Sequence, residues 1–325
     1  MIAKGKILVT GVAGFIGSKV AELLLNDGYN VVGIDNLNDY YSPKLKLHRL
    51  NFLENNCDFQ FYNLDVENLV ELEYLFASNK FISVINLAAR AGVRASIENP
   101  FVYVSTNIVG TLNLLELMKK YAVSKFVLAS SSSVYAGEKV PFQENMRVDF
   151  PISQYAATKK SAELLAYTYH HLYGIDVSVL RFFTVFGPAG RPDMSYFQFI
   201  EKIRKGLPIT LYGDGNQKRD FTYIDDIAKG VVASMKPLGY EVVNLGGGRN
   251  PVTINHMIEL IEIALQRKAI IEYKPFNNAD MNETGADITK AKTLLSWQPQ
   301  IDFETGIDNT IKWHKQNISL LDSLD

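Results

Sequence analysis

The stretch Thr10-Gly11-Val12-Ala13-Gly14-Phe15-Ile16-Gly17 constrains this chain more than any other, because of what flanks it. An apolar run, Ile7-Leu8-Val9, leads into it, and an amphipathic segment, Ser18–Asp27, leads out. A strand that turns through glycines into a helix opens a βαβ unit. Gly11 permits the tight turn, and Gly14 lets backbone N–H groups approach a pyrophosphate at the helix N-terminus. Gly17 lets helix and strand pack closely, and Phe15 and Ile16 complete the turn. Alone, such a turn is common. Here Asp35 ends the next apolar run, where a carboxylate can accept the hydroxyls of an adenosine ribose. Asn36, Leu37 and Asn38 follow with no Arg or Lys to hold a 2′-phosphate, which favours NAD over NADP.

The same alternation continues along the chain. Strands are expected at Lys6–Thr10, Val31–Asp35, Asp58–Asn63, Ser83–Leu87, Lys125–Ser130 and Asp176–Leu180. Several are apolar throughout, as in a parallel sheet covered on both faces. Helical patterns such as Ser18–Asp27 and Asn107–Tyr121 lie between them. The expected architecture is therefore α/β, a doubly wound parallel sheet over residues 1–180. After Arg181 the rhythm breaks at Gly187-Pro188, Arg191-Pro192, Gly206-Leu207-Pro208 and Gly213–Gly215. Residues 181–325 read mainly as a smaller α/β substrate lobe. Part of 217–247 is expected back in the sheet, with Val242–Gly246 as a further strand.

Composition excludes several function classes. The 33 basic and 35 acidic residues nearly cancel, so no basic field attracts nucleic acid. The single cysteine, Cys57, cannot close an intrachain disulfide and reads as a structural or partly exposed thiol. No cluster suggests a metal site. No unbroken apolar run approaches the ~18 residues of a membrane span, and the N-terminus runs too soon into glycines for a signal peptide. The expectation is a cytoplasmic protein with no membrane partner.

A second constellation carries chemistry. Tyr155 and Lys159 stand four apart, so on a helix they share a face. A tyrosine with an ordinary pKa of about 10 is a poor base at neutral pH. Bringing it to ~7 takes about 4 kcal/mol, which a nearby ammonium and a positive nicotinamide can supply. The run Ser130-Ser131-Ser132-Ser133 follows Phe126-Val127-Leu128, at the strand end where doubly wound folds place their chemistry. A hydroxyl there can bond a reacting sugar oxygen.

With these motifs in place, the chain resembles the nucleotide-sugar epimerase and dehydratase branch of the extended short-chain dehydrogenase/reductase family. The resemblance runs over nearly the whole chain. It rests on Thr10–Gly17, Asp65-Val66, Asn86–Ala89, Asn107 with Gly110-Thr111, the serine run, Tyr155/Lys159, Arg181-Phe182-Phe183 and Arg219–Asp226. It implies that Asp65 and Val66 lie near adenine and that Leu87, Ala88 and Ala89 run along the cofactor, with Asn107 nearby. It implies Ser131, Tyr155 and Lys159 as the catalytic triad. Tyr212 looks like the aromatic that stacks on uracil, Arg219 like a diphosphate contact and Asp280 like a ribose contact. Asn277 stands where many relatives carry an arginine.

The resemblance also bears on the reaction. The 4,6-dehydratases carry Asp-Glu where this chain has Ser132 and Ser133, and serines supply no base for a C5 proton. That favours NAD-dependent 4-epimerisation of a UDP-sugar over dehydration. A 2-epimerase, a 4,6-dehydratase, a reductase and a cofactor-binding protein without turnover are the alternatives. Asn36–Tyr41 and Arg181–Met194 look like UDP-glucuronate 4-epimerases, in which the equivalents of Thr184 and the serine loop can bind the uronate carboxylate. Arg94 and Arg191 are further candidates, as carboxylate or diphosphate contacts or plain surface charge. Thr284 falls at the family's size gate, where threonine leaves room for UDP-N-acetylglucosamine. The resemblance implies a homodimer, through helices around Val104–Tyr121 and Tyr155–Tyr173.

Overall fold

The computed structural model describes residues 4–248, 251–276 and 281–324. Its centre is a seven-stranded parallel sheet. In chain order its first six strands are β1 (Lys6–Thr10), β2 (Asn30–Asp35), β3 (Phe59–Asn63), β4 (Phe81–Asn86), β5 (Lys125–Ser131) and β6 (Asp176–Phe182). The smaller strands β7 (Thr184–Phe186), β8 (Ile209–Tyr212), β9 (Lys218–Arg219) and β10 (Phe221–Tyr223) come next. Then β11 (Tyr240–Leu245) completes the sheet, whose order is β11-β6-β5-β4-β1-β2-β3. β12 (Val252–Thr253) and β13 (Ile271–Lys274) close the list.

The unbroken apolar runs are explained by burial on both faces. Leu8, Val32, Ile34, Val84, Phe126, Leu128, Val177 and Val179 point into one core. Ile7, Val9, Val31, Ile85, Val127 and Leu180 point into the other, which continues into the lobe. Alternation at a period of two sends neighbours to opposite cores, so both must be apolar.

Differences from the sequence expectation are small and local. β2 and β4 start one and two residues earlier, at Asn30 and Phe81, because pairing with β1 extends them past the apolar run. β6 continues to Phe182, two residues beyond the expected boundary at 180, because it pairs with both β5 and β11. The helical segment at 107–121 begins earlier, at Pro100, and passes through a wide π turn at Ser105–Val109. Among the described residues this run, Pro100–Lys120, is the one long and apolar enough to cross a membrane, and half of it is buried within the fold.

The lobe is assembled from three small pairings: β7 with β10, β8 with β13 and β9 with β12. Helices Ser195–Lys205, Ile254–Leu265 and Phe303–Gln316 pack around them. The helix Ile224–Ala233, which follows β10, packs on the first helix, Phe15–Asn26. Lobe and sheet therefore share one core.

Candidate active site

One cleft of about 960 Å³ runs across the carboxyl ends of the strands and under the lobe. Gly11, Gly14, Phe15, Ile16 and Gly17 form one end of it. Gly11 has φ +68°, and a Cβ there would meet the Ala88 backbone nitrogen at 2.7 Å. At Gly17 a Cβ would run into the Gly11 carbonyl. The turn thus closes only with glycine at both positions, and it leaves the N-terminus of the helix Phe15–Asn26 open to an anion.

Asp35 stands at the end of β2 on the same wall. Its carboxylate accepts from Ala13 N at 3.2 Å and Leu37 N at 2.9 Å. Burial pushes its carboxyl up, against Lys46, the two N–H groups and Arg49, which pull it down. Asn36 donates to Asp65 at 2.6 Å, and Asp65, Val66, Leu87, Ala88 and Ala89 continue the wall. A two-oxygen acceptor beside a glycine turn fits the adenosine and pyrophosphate of NAD. Asn107 is placed behind this wall. Its amide donates to the Arg90 carbonyl and to Thr158 Oγ1, both at 3.0 Å, so it braces the wall against the helix that carries Tyr155 and Lys159.

That helix, Gln154–Tyr173, starts with its own cap: Ser153 Oγ accepts from Ala156 N at 3.2 Å. Such caps contribute about 1 kcal/mol. Tyr155 lies in the first turn and Lys159 one turn later, both lining the cleft with Ser131 at the end of β5. The Ser131 hydroxyl accepts from Ser133 N at 3.1 Å and also reaches the Tyr155 phenol. Burial pushes the Tyr155 phenol up; Ser131 and the Arg191 guanidinium pull it down, and burial prevails. Lys159 donates to the Ala129 carbonyl at 2.9 Å. Its ammonium is pushed down to about 8 by burial, aided by Arg191 and opposed by Glu163. Ser131 and Arg191 are thus two protein groups that favour the phenolate here.

At its other end the cleft is lined by Ser132, Ser133, Thr184, Arg191, Tyr212 and Arg219. Arg191 Nε donates to Asp193 at 3.0 Å. The Arg94 guanidinium lies over the Tyr212 ring, 3.8 Å from its centroid. Thr284 is placed outside this cleft, on a second cavity of about 130 Å³ shared with Ser132, Ser133, Thr184 and Arg219. Its hydroxyl accepts from Asp220 N at 3.0 Å. Asp280, with Asn277, lies outside the described residues.

A model of the GDP-mannose 4,6-dehydratase family matches residues 8–310. The chain belongs to this family. Its relatives in the family include a UDP-glucuronate 4-epimerase of Thermodesulfobacterium geofontis, 59% identical over 98% of this chain and 99% of the relative. A crystal structure of the UDP-glucuronic acid 4-epimerase of Bacillus cereus, in complex with UDP-glucuronic acid and NAD, superimposes with a TM-score of 0.90. It is 38% identical and covers 96% of this chain and 99% of its own. A UDP-N-acetylglucosamine 4-epimerase of Methanobrevibacter ruminantium, solved with UDP-N-acetylmuramic acid, gives 0.88 at 32% identity over 97% and 100%.

Several groups in this family member escaped the sequence reading. Lys46 and Arg90 reach the turn after β2 from elsewhere, bonding the Asn38 carbonyl and side chain at 2.6 and 3.1 Å. Both cations therefore stand beside Asn36–Asn38, a stretch with no Arg or Lys of its own. What disfavours a 2′-phosphate is the Asp35 carboxylate itself. Glu163 and Arg181, behind the catalytic helix, also went unassigned. Glu163 stands four residues after Lys159, and that spacing was the available signal.

Proposed function

We propose that this chain is an NAD-dependent UDP-sugar 4-epimerase whose principal substrate is UDP-glucuronate. The observation that carries the reading is the convergence of Ser131, Tyr155 and Lys159 between the glycine turn and Tyr212, with hydroxyls at Ser132 and Ser133. A dehydratase needs a base at those two positions, and serine is none.

Bound NAD supplies the reversible oxidation at C4. The Tyr155 phenol, as phenolate, takes the proton of the C4 hydroxyl and later returns it. Ser131 orients that oxygen. The Lys159 ammonium holds the cofactor ribose and adds its charge to that of Arg191 beside the phenolate. Ser132, Ser133, Thr184 and Arg191 surround the uronate carboxylate, and Arg219 meets the diphosphate. Tyr212 stacks on the base. Remote binding of the nucleotide leaves the oxidised sugar free to turn and present its other face.

UDP-N-acetylglucosamine is a second substrate under this proposal, favoured by the small cavity at Thr284, which opens beside the sugar-facing serines. A homodimer and a cytoplasmic setting belong to the same proposal. Phe101 and Val104 on one helix and Leu164 and Tyr167 on another are exposed and apolar, as a helical dimer face requires. Incubation with UDP-glucuronate, UDP-N-acetylglucosamine and UDP-glucose, each followed by NMR, tests the reaction. A C4 epimer supports it; unchanged sugars with NAD bound, or a 4-keto-6-deoxy product, overturn it.

A further inference from the structure

Arg49 sits on the helix Pro43–Glu54, and its side chain is 4% exposed. A guanidinium has five N–H groups, and all five find an oxygen here. Nη1 donates to the Ala13 carbonyl at 3.0 Å and to the Tyr41 hydroxyl at 2.8 Å. Nε and Nη2 both donate to the Ala189 carbonyl, at 2.9 and 2.8 Å, and Nη2 also donates to the Gly190 carbonyl at 2.9 Å. None of these acceptors is a carboxylate. Burying a cation on neutral oxygens is costly, and the Asp35 carboxylate, which feels the Arg49 charge, makes no direct hydrogen bond to it, so ion pairing alone does not account for its position.

What Arg49 joins does account for it. Ala13 immediately precedes Gly14 in the pyrophosphate turn, and its N–H is held by Asp35. Ala13 is therefore gripped through both its N–H and its carbonyl. Ala189 and Gly190 immediately precede Arg191, whose charge acts on both Tyr155 and Lys159. A planar, rigid fork transmits position between its acceptors in a way that a flexible ammonium cannot.

We propose that Arg49 is a positioning residue that couples the dinucleotide end of the cleft to the Arg191 loop, so that NAD at the glycine turn pre-sets the loop that receives the sugar acid. The inference rests on the reading of the cleft given above. Fixing the turn fixes the Ala13 carbonyl, and through the guanidinium plane the two carbonyls ahead of Arg191. Cofactor and sugar acid then bind with positive cooperativity without touching each other through this route.

The test is Arg49→Lys, which keeps the charge and loses the fork. UDP-glucuronate affinity is measured by calorimetry on NAD-stripped protein, with and without saturating NAD. In the wild type NAD is expected to raise that affinity about tenfold. In the variant the factor falls to near one, while affinity for UDP alone, which lacks the acid, is unchanged. A merely structural arginine would leave the factor intact. Its survival in Arg49→Lys, or its absence from the wild type, overturns the proposal. Hydrogen exchange on the wild type is the second arm and needs no variant. NAD alone slows exchange across 187–194 several-fold if the coupling exists, and leaves it unchanged if not. Should UDP-glucuronate fail to bind the wild type at all, the substrate reading falls, and the exchange arm alone decides the coupling.

Discussion

Glu163 and Arg181 face each other through two hydrogen bonds, Nε to Oε1 at 2.9 Å and Nη2 to Oε2 at 2.8 Å, with both side chains 2% exposed. The pair ties the catalytic helix to β6. It also fixes Ser130, whose hydroxyl donates to Glu163 at 2.6 Å, and Tyr135, which accepts from Arg181 at 2.8 Å. Arg181→Met should cost about 3 kcal/mol of unfolding free energy, because it strips a buried carboxylate of both guanidinium hydrogen bonds and leaves it only Ser130 and the more exposed Lys160 at 3.3 Å. Urea denaturation of the two proteins checks this. Although burial opposes it, Arg181 holds the Glu163 carboxyl below its ordinary value of 4.5. The pair's contribution should be full above that pH and drain away as pH falls below it.

Tyr155→Phe should lower kcat by about three orders of magnitude, the usual worth of a positioned acid–base group, and leave NAD binding intact. Product NMR and a cofactor titration measure the two effects. Near-normal turnover would remove Tyr155 from its assigned role.

The alkaline limb of kcat/KM should fall near pH 8, where burial places the Lys159 ammonium in the free protein. The charged form is present below that pH and lost above it. Arg191 also pushes Lys159 down, so Arg191→Gln should move the limb to higher pH. A limb that stays where it is would mean that another group sets it.

Gly11→Ala should weaken NAD binding about tenfold or more. The left-handed backbone alone costs roughly 1–2 kcal/mol with a Cβ, and this Cβ also meets the Ala88 backbone. Titration by protein fluorescence reads the change. Wild-type affinity would place the pyrophosphate elsewhere.

Thr284→Tyr should fill the cavity of about 130 Å³ and reduce kcat/KM for UDP-N-acetylglucosamine relative to UDP-glucuronate by about tenfold or more. Equal loss for both sugars would show that the change acts through the Asp220 contact to Thr284 instead.

What the sequence made legible was the periodic and the strained. Burial on two faces wrote itself into Ile7–Val9 and Phe126–Leu128, and the close approach of helix to strand required Gly17. Tyr155 and Lys159 were readable because helical spacing is local. Arg49 and Lys46 were not: on the helix Pro43–Glu54 buried cations stand where a core stripe would show, so the pattern resembles a solvated face. Arg181 and Glu163 were unreadable as a pair because only packing of the catalytic helix on β6 brings them together. The π turn around Asn107 was hidden for a different reason: a single widened turn leaves the periodicity on either side intact.

The return of β11 to pair with β6, after the chain has already built β7 to β10, has an evolutionary consequence. Thr184, Arg191, Tyr212 and Arg219 of the cleft lie beyond β6, yet the lobe is not one exchangeable cassette. A single recombination junction near Phe182 would import a foreign edge strand and a foreign helix Ile224–Ala233 against the native first helix. Trading specificities between relatives by recombination therefore takes matched breakpoints on both sides of β11, which favours divergence by point substitution within an inherited whole.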